Sequence, residues 1–357
     1  MSKSPYRGLK KREIWRTAVE KRKAFSDTEM FQPRFPLTAE TRVATAGSCF
    51  AQHVGKSLRS AGLKVLDVEP SPIGTDSTLA KDFGYQTYSA RYGNIYTSAQ
   101  LLQLLKEALG RFKPAEPVWA LRDRYVDSQR PSVEPTGLDT PEQVILHRKK
   151  HLNCVLEMMK SCDVFIFTFG LTEAWLEKET NTVFPLAPGT LAGTFDPDKH
   201  VFKNFRVHEV VASFNEFIQL ARSLNPNIKF LITVSPIPLA ATASGEHIEV
   251  ATSKSKAVLR AACDELASEH EYVDYFPSYE IITSQWAKGQ FYQPNLRDVT
   301  PKGVSTVMNV LLRSYGLAQD QEEVLAPSQS APAKEDYEDD VRCEEILLDS
   351  LANNTTD

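Results

Sequence analysis

Residues Gly47-Ser48-Cys49-Phe50-Ala51 place a hydroxyl and a thiol where a short apolar run, Val43-Ala44-Thr45-Ala46, gives way to a helical pattern from Phe50 to Leu63. A strand-to-helix corner of this kind points the first N–H groups of the helix, which have no partner within it, at one spot. A serine there has nucleophile geometry. Ser48 would stand at the carboxyl end of a strand, with the Cys49 amide aimed at the oxygen on which charge develops during acyl transfer. The bland alternative is that Ser48 caps the helix and Gly47 supplies the turn. A Cys49 nucleophile is a third possibility, although a cysteine inside the helix start points partly into the core.

A serine hydroxyl is a weak nucleophile without a base, so the elements that could carry one matter next. Strand-length apolar runs fall at Val43 to Ala46, Leu63 to Val68, Val164 to Phe169, Ile228 to Val234 and Tyr272 to Tyr275. Helical spacing of apolar residues covers Ser48 to Leu63, Ser98 to Phe112, Pro141 to Lys160, Val207 to Leu224, Ser253 to His270 and Pro301 to Tyr315. Near-continuous apolar strands alternating with helices predict a three-layer α/β/α fold with a mostly parallel sheet, whose ligand loops lie at the carboxyl ends of its strands. The segments Lys113 to Pro135 and Glu177 to Asn204 exceed ordinary connections and predict active-site lids or a small inserted subdomain. On this scaffold His247 follows the Ile228 to Val234 strand, and His200 follows Phe169 in the second long segment, so both are expected on the face where Ser48 emerges. His247 could equally cap the next helix or sit in solvent. His53, five residues beyond Ser48 on one helix, is expected to pack or cap, and His147, His151, His208 and His270 are expected on helix surfaces.

The Gly47 to Ala51 pentapeptide resembles the signature of the GSCFA family, whose opening block is similar to that of GDSL/SGNH esterases and acyltransferases. Similar segments follow at Tyr92-Gly93-Asn94-Ile95-Tyr96, Phe167 to Trp175, Thr233 to Leu239, Ser255-Lys256-Ala257-Val258-Leu259-Arg260 and Tyr275 to Glu280, covering roughly residues 30 to 315. The resemblance implies an SGNH-hydrolase-like, flavodoxin-like fold and acyl-ester hydrolysis or O-acyl transfer on a glycan-like or small acylated substrate. It implies that Gly93 offers a second oxyanion N–H, a turn glycine being the alternative. The third block, normally Gly-x-Asn-Asp, reads Gly170-Leu171-Thr172-Glu173, so Thr172 replaces the asparagine donor; Thr172 and Glu173 could instead cap a following helix. In the last block Asp298 occupies the position of the expected histidine. A carboxylate near its ordinary pKa is a poor acceptor for a serine proton, leaving His247 as base, His200 and Glu173 as secondary candidates, and Asp298 orienting a group or the substrate. The missing histidine also supports a contrary reading, a catalytically inactive binding or scaffold protein in polysaccharide metabolism.

Composition narrows the partners. The 357 residues carry a net charge of −5 and 42% apolar residues, enough for a substantial core. No basic stripe interleaved with aromatics points to nucleic acid. The chain lacks a run long enough to span a bilayer or an apolar secretory stretch, so the cytoplasm is the expected address. Five scattered cysteines without CxxC spacing argue against a disulfide framework or zinc site; no metal and no cofactor is implied. Residues 1–29 form a basic extension, either a helix with Trp15 and Val19 on one face or a solvated arm. Residues 30–317 form the α/β domain. Residues 318–357 are an acidic tail expected to be disordered, within which Cys343 to Leu351 could form a short docking turn. A protein partner through these termini is the remaining expectation.

Overall fold

A computed structural model describes residues 4–23 and 28–317. The acidic tail and Cys343 to Leu351 lie outside the described residues. In chain order the elements are β1 (Arg42–Gly47), α1 (Phe50–Ser60), β2 (Lys64–Val65), α2 (Ser77–Asp82), α3 (Ser98–Ala108), β3 (Val118–Leu121), β4 (Arg124–Asp127), α4 (Pro141–Ser161), β5 (Val164–Phe169), β6 (Glu173–Glu177), β7 (Val183–Phe184), β8 (His200–Asn204), α5 (Val207–Leu224), β9 (Lys229–Val234), α6 (Ile248–Glu269), β10 (Val273–Tyr275), α7 (Ser278–Thr283) and α8 (Pro301–Ser314).

Five strands pair in parallel in the order β10-β9-β5-β1-β2. Side chains alternate across each strand, and here the alternation sorts them into two cores. Phe165, Phe167 and Phe169 of β5, Ala44 and Ala46 of β1, and Phe230, Ile232 and Val234 of β9 pack on one face with Phe214 and Phe217 of α5 and Leu259 of α6. Val43, Val164, Ile166 and Leu231 face the opposite side, against Phe50 and Leu58 of α1, Ile281 of α7 and Leu311 of α8. Both faces being covered, the predicted three-layer α/β/α architecture stands, with a flavodoxin-like strand order. The chain leaves β1 toward β2 and then crosses back to β5, so the carboxyl ends of β1 and β5 flank a topological switch point, where such sheets open a crevice.

The two long segments fold onto each other rather than standing as separate lids. A β3–β4 hairpin and an antiparallel β7-β6-β8 sheet enclose Trp119, Val126, Phe184 and Ala192, with the Trp119 and Phe184 rings 5.0 Å apart. Gly193 lies so close to Trp119 that a Cβ there would come within 2.8 Å of its ring. At the amino end, Lys11–Glu13 forms a 3₁₀ turn and Arg16–Glu20 a π turn, with Trp15 63% exposed.

Candidate active site

Gly47 ends β1 with φ +142°, a value that favours glycine, and a Cβ there would meet the Thr168 carbonyl oxygen at 2.5 Å. The lack of a side chain lets the ends of β1 and β5 close on each other, and the Ser48 N–H donates to Thr168 O at 3.2 Å. The Ser48 carbonyl accepts from the Ala51 N–H at 2.8 Å and from the Tyr88 hydroxyl at 3.1 Å. Its backbone is therefore held on both sides. The side chain is not: Ser48 is 2% exposed, and among the described residues its Oγ has no hydrogen-bond partner. The N-cap alternative is not realised, because Cys49 occupies the N-cap position of α1 and no side chain caps that end.

The segment after α2 wraps around the carboxyl end of β1. The Tyr92 hydroxyl donates to Thr45 O, the Ile95 N–H donates to Gly47 O at 2.9 Å, and Asn94 Oδ1 accepts from Gln52 Nε2 at 3.4 Å. Tyr96 O then accepts from the Gly170 and Leu171 N–H groups at 3.0 and 3.3 Å, tying this segment to the end of β5. Gly170 sits against the serine itself. A Cβ on it would lie 2.9 Å from Ser48 Cβ and 3.2 Å from the Tyr96 ring.

A small pocket opens at this point. Its walls come from the carboxyl ends of three adjacent strands: Ser48 and Cys49 after β1, Gly170 and Leu171 after β5, and Ser235 with Ile237 to Leu239 after β9. Tyr96 and Lys256 complete it. Lys256 is 2% exposed and donates from Nζ to Gly170 O at 2.6 Å, while its neighbour Ser255 accepts the Thr172 N–H at 3.1 Å. Among the described residues the lining contains no histidine and no carboxylate.

Of the sequence candidates, Ser48 and Cys49 line this pocket and the others do not. His247 is the N-cap of α6, its side chain 69% exposed, with Nδ1 accepting from the Glu249 N–H at 3.3 Å. Helix α6 starts five residues before the periodic pattern suggested, and that extra turn carries the imidazole outward. His200 is buried in the small β unit between Phe184 and Phe195, its Nδ1 accepting from the Asp196 N–H at 3.0 Å and its Nε2 3.4 Å from Glu116. Gly93 takes φ +68° in the wrapping segment. The Thr172 hydroxyl donates to Asn204 Oδ1 at 2.7 Å. Glu173 opens strand β6, not a helix; burial raises its pKa, against the hydrogen bond from Thr242 at 2.7 Å. Asp298 closes a turn, accepting from Asn295 Nδ2 at 2.6 Å.

His53 packs edge-on to Phe50, and burial, then nearby Lys56, lowers its pKa to about 4. His151 departs furthest from expectation. Far from sitting on a helix surface, it is fully buried, 2.6 Å from Glu69. Sequence reasoning gave Lys256 no role, although a usable signal exists: it lies three and seven residues before Leu259 and Cys263, on the buried stripe of α6.

Among the described residues no cluster of three or more His, Cys, Asp or Glu is arranged to hold a metal ion, and no helix is long and apolar enough to cross a membrane.

A model of the GSCFA family matches residues 42–311. The chain belongs to the GSCFA family. No curated protein shows significant similarity to this GSCFA chain. Among solved structures it is similar to a carbohydrate esterase family 3 protein from Talaromyces cellulolyticus, at 11% identity over 76% of this chain and 94% of that one, with a TM-score of 0.36. A candidate GDSL-like lipase from Parabacteroides merdae aligns at 12% identity over 80% of this chain and 100% of that one, with a TM-score of 0.35. An acetyl xylan esterase from Butyrivibrio proteoclasticus aligns at 12% identity over 79% and 66%, with a TM-score of 0.30. Scores this low leave the fold of the GSCFA chain to its own strand order and carry nothing about its reaction.

Proposed function

We propose that this GSCFA protein carries out serine-dependent acyl-ester chemistry, hydrolysis or O-acyl transfer, on a small or glycan-like acylated substrate bound in the pocket at the carboxyl end of the sheet. One observation carries the reading: the Ser48 hydroxyl is buried, makes no hydrogen bond to a described residue, and belongs to a pocket wall at the switch point of a parallel sheet. A buried hydroxyl without a partner costs on the order of 1–3 kcal/mol, a cost that a reacting group repays. Ser48 attacks the acyl carbon, and the Cys49 N–H at the head of α1 donates to the developing oxyanion. A donor so placed typically contributes 10²- to 10³-fold in rate. Gly93, Thr172, His200, His247, Glu173 and Asp298 take no direct part in this reading, since none lines the pocket.

The absence of an imidazole from the lining favours a second reading, a binding pocket without turnover. Hydrolysis of p-nitrophenyl acetate by the purified protein and by Ser48→Ala separates the two. The enzyme reading expects turnover above background that Ser48→Ala abolishes, with an acetylated Ser48 peptide detectable by mass spectrometry after rapid quench. Equal rates for the two proteins would leave the binding reading in place.

A further inference from the structure

We infer that Lys256 is the general base of this site, accepting the Ser48 proton through its ε-amine. The inference rests on the reading of Ser48 as nucleophile and adds the proton acceptor that none of the seven histidines supplies from within the pocket.

Lys256 and Ser48 line the same pocket, and Gly170 joins them. Gly170 packs against Ser48 so closely that a Cβ would lie 2.9 Å from Ser48 Cβ, and its carbonyl oxygen accepts the Lys256 Nζ bond at 2.6 Å. Two neighbouring contacts hold α6 in register with the strand ends. Ser255 Oγ accepts from the Thr172 N–H at 3.1 Å, and Thr252 Oγ1 accepts from the Leu239 N–H at 3.3 Å. The amine is thus carried by a rigid helix, 2% exposed. Removal from water is the circumstance in which lysine gives up its proton and serves as a base. A neutral amine has two N–H groups and a lone pair, so it can keep the bond to Gly170 O and still accept a proton. Ser48 Oγ makes no hydrogen bond to Nζ in this structure, so the transfer requires the two groups lining this pocket to close on each other when substrate binds.

The proton balance closes without another group. As Ser48 Oγ bonds to the acyl carbon, its O–H proton passes to Nζ and the carbonyl π pair moves to oxygen. Collapse of the tetrahedral adduct breaks the bond to the leaving alkoxide, which takes the proton back from the Nζ ammonium. A water or acceptor hydroxyl then attacks the acyl-serine, giving its proton to Nζ, and the second collapse returns that proton to Ser48 Oγ.

The test compares wild type, Ser48→Ala, Lys256→Met, Lys256→Arg and Lys256→Ala by p-nitrophenyl acetate turnover and by fluorophosphonate labelling of Ser48 read by mass spectrometry, with melting curves to show that each variant is folded. Lys256→Met keeps an unbranched chain of similar length, and Lys256→Arg keeps the charge but does not give up its proton near neutral pH. A general base typically contributes 10²- to 10⁴-fold, so both variants should lose at least about 100-fold in turnover and in labelling rate. Methylamine added to Lys256→Ala should restore turnover in proportion to its concentration, which a purely structural role would not produce. Wild-type rates in Lys256→Arg or Lys256→Met, with Ser48→Ala inactive, overturn the lysine assignment and leave Ser48 standing. Folded variants that lose activity without amine rescue also overturn it. A wild-type protein with neither Ser48-dependent turnover nor labelling overturns both.

Discussion

Substituting Gly170→Ala should disable Ser48 with little damage to the fold. The added Cβ would lie 2.9 Å from Ser48 Cβ and 3.2 Å from both the ring and the carbonyl oxygen of Tyr96. Carbon atoms prefer about 3.5–4.0 Å, so the closest contact must open by about 0.6 Å or more. Tyr96 is 4% exposed, and Ser48 cannot give way, because Thr168, Ala51 and Tyr88 hold its backbone. Gly170 is pinned in turn by Tyr96 O and Lys256. The strain therefore falls on the junction itself. Overpacking of this size costs about 1–3 kcal/mol, a melting shift of a few °C in a domain this large. A displacement approaching 1 Å at a reacting atom can cost on the order of 10²-fold in rate. Thermal melts paired with fluorophosphonate labelling of Ser48 measure the two effects separately. Gly245→Ala is the control: its φ is +78° with nothing within 4 Å, so it should lose stability through backbone strain and label normally. If Gly170→Ala labels and melts like wild type, the close approach of Gly170 to Ser48 does not position the serine.

Two further outcomes follow from groups outside the pocket. His247→Ala should cost no more than about 1 kcal/mol of stability as a lost helix cap and leave ester turnover within about twofold; a loss on the order of 10³-fold would return the base to His247. Acid should weaken the fold through the buried Glu69–His151 pair. Burial, then Arg130, lowers His151 from 6.5 to about 4; burial raises Glu69, but the bonds to His151 and the charge of Arg130 outweigh it and leave Glu69 at about 2. The unfolded state thus binds more protons than the folded state below pH 6.5. Stability present above that value is lost as pH falls toward 4 for His151, and between 4.5 and 2 for Glu69. The His151 share is on the order of 3 kcal/mol. Melting temperature should drop between pH 7 and 4, and His151→Gln should flatten the slope; a flat wild-type profile would refute the assignment.

Local pattern was enough to find the sheet and the strand-to-helix corner that holds Ser48. The runs Val43 to Ala46, Val164 to Phe169 and Ile228 to Val234 read as buried strands because apolar residues dominate both faces, and the alternation that sends Phe165, Phe167 and Phe169 to one core is a period of two visible in the chain itself. The Gly47 to Ala51 corner was legible for the same reason, since a turn residue and a hydroxyl between strand and helix periodicities mark a junction without knowledge of what lies across it. Strand pairing was not legible, because it joins distant segments by backbone hydrogen bonds that carry no side-chain code. Only the placement of β5 beside β1 brings Gly170 against Ser48, and through Gly170 it brings Lys256. The exchange of His247 for Lys256 has an equally physical cause. Both lie in the stretch that follows β9, and chemistry chose the imidazole, but the start of α6 and its helical phase turn His247 to solvent and Lys256 into the crevice. Residue types along the chain defined which groups were able to react; the order of the strands and the phase of one helix decided which of them meet.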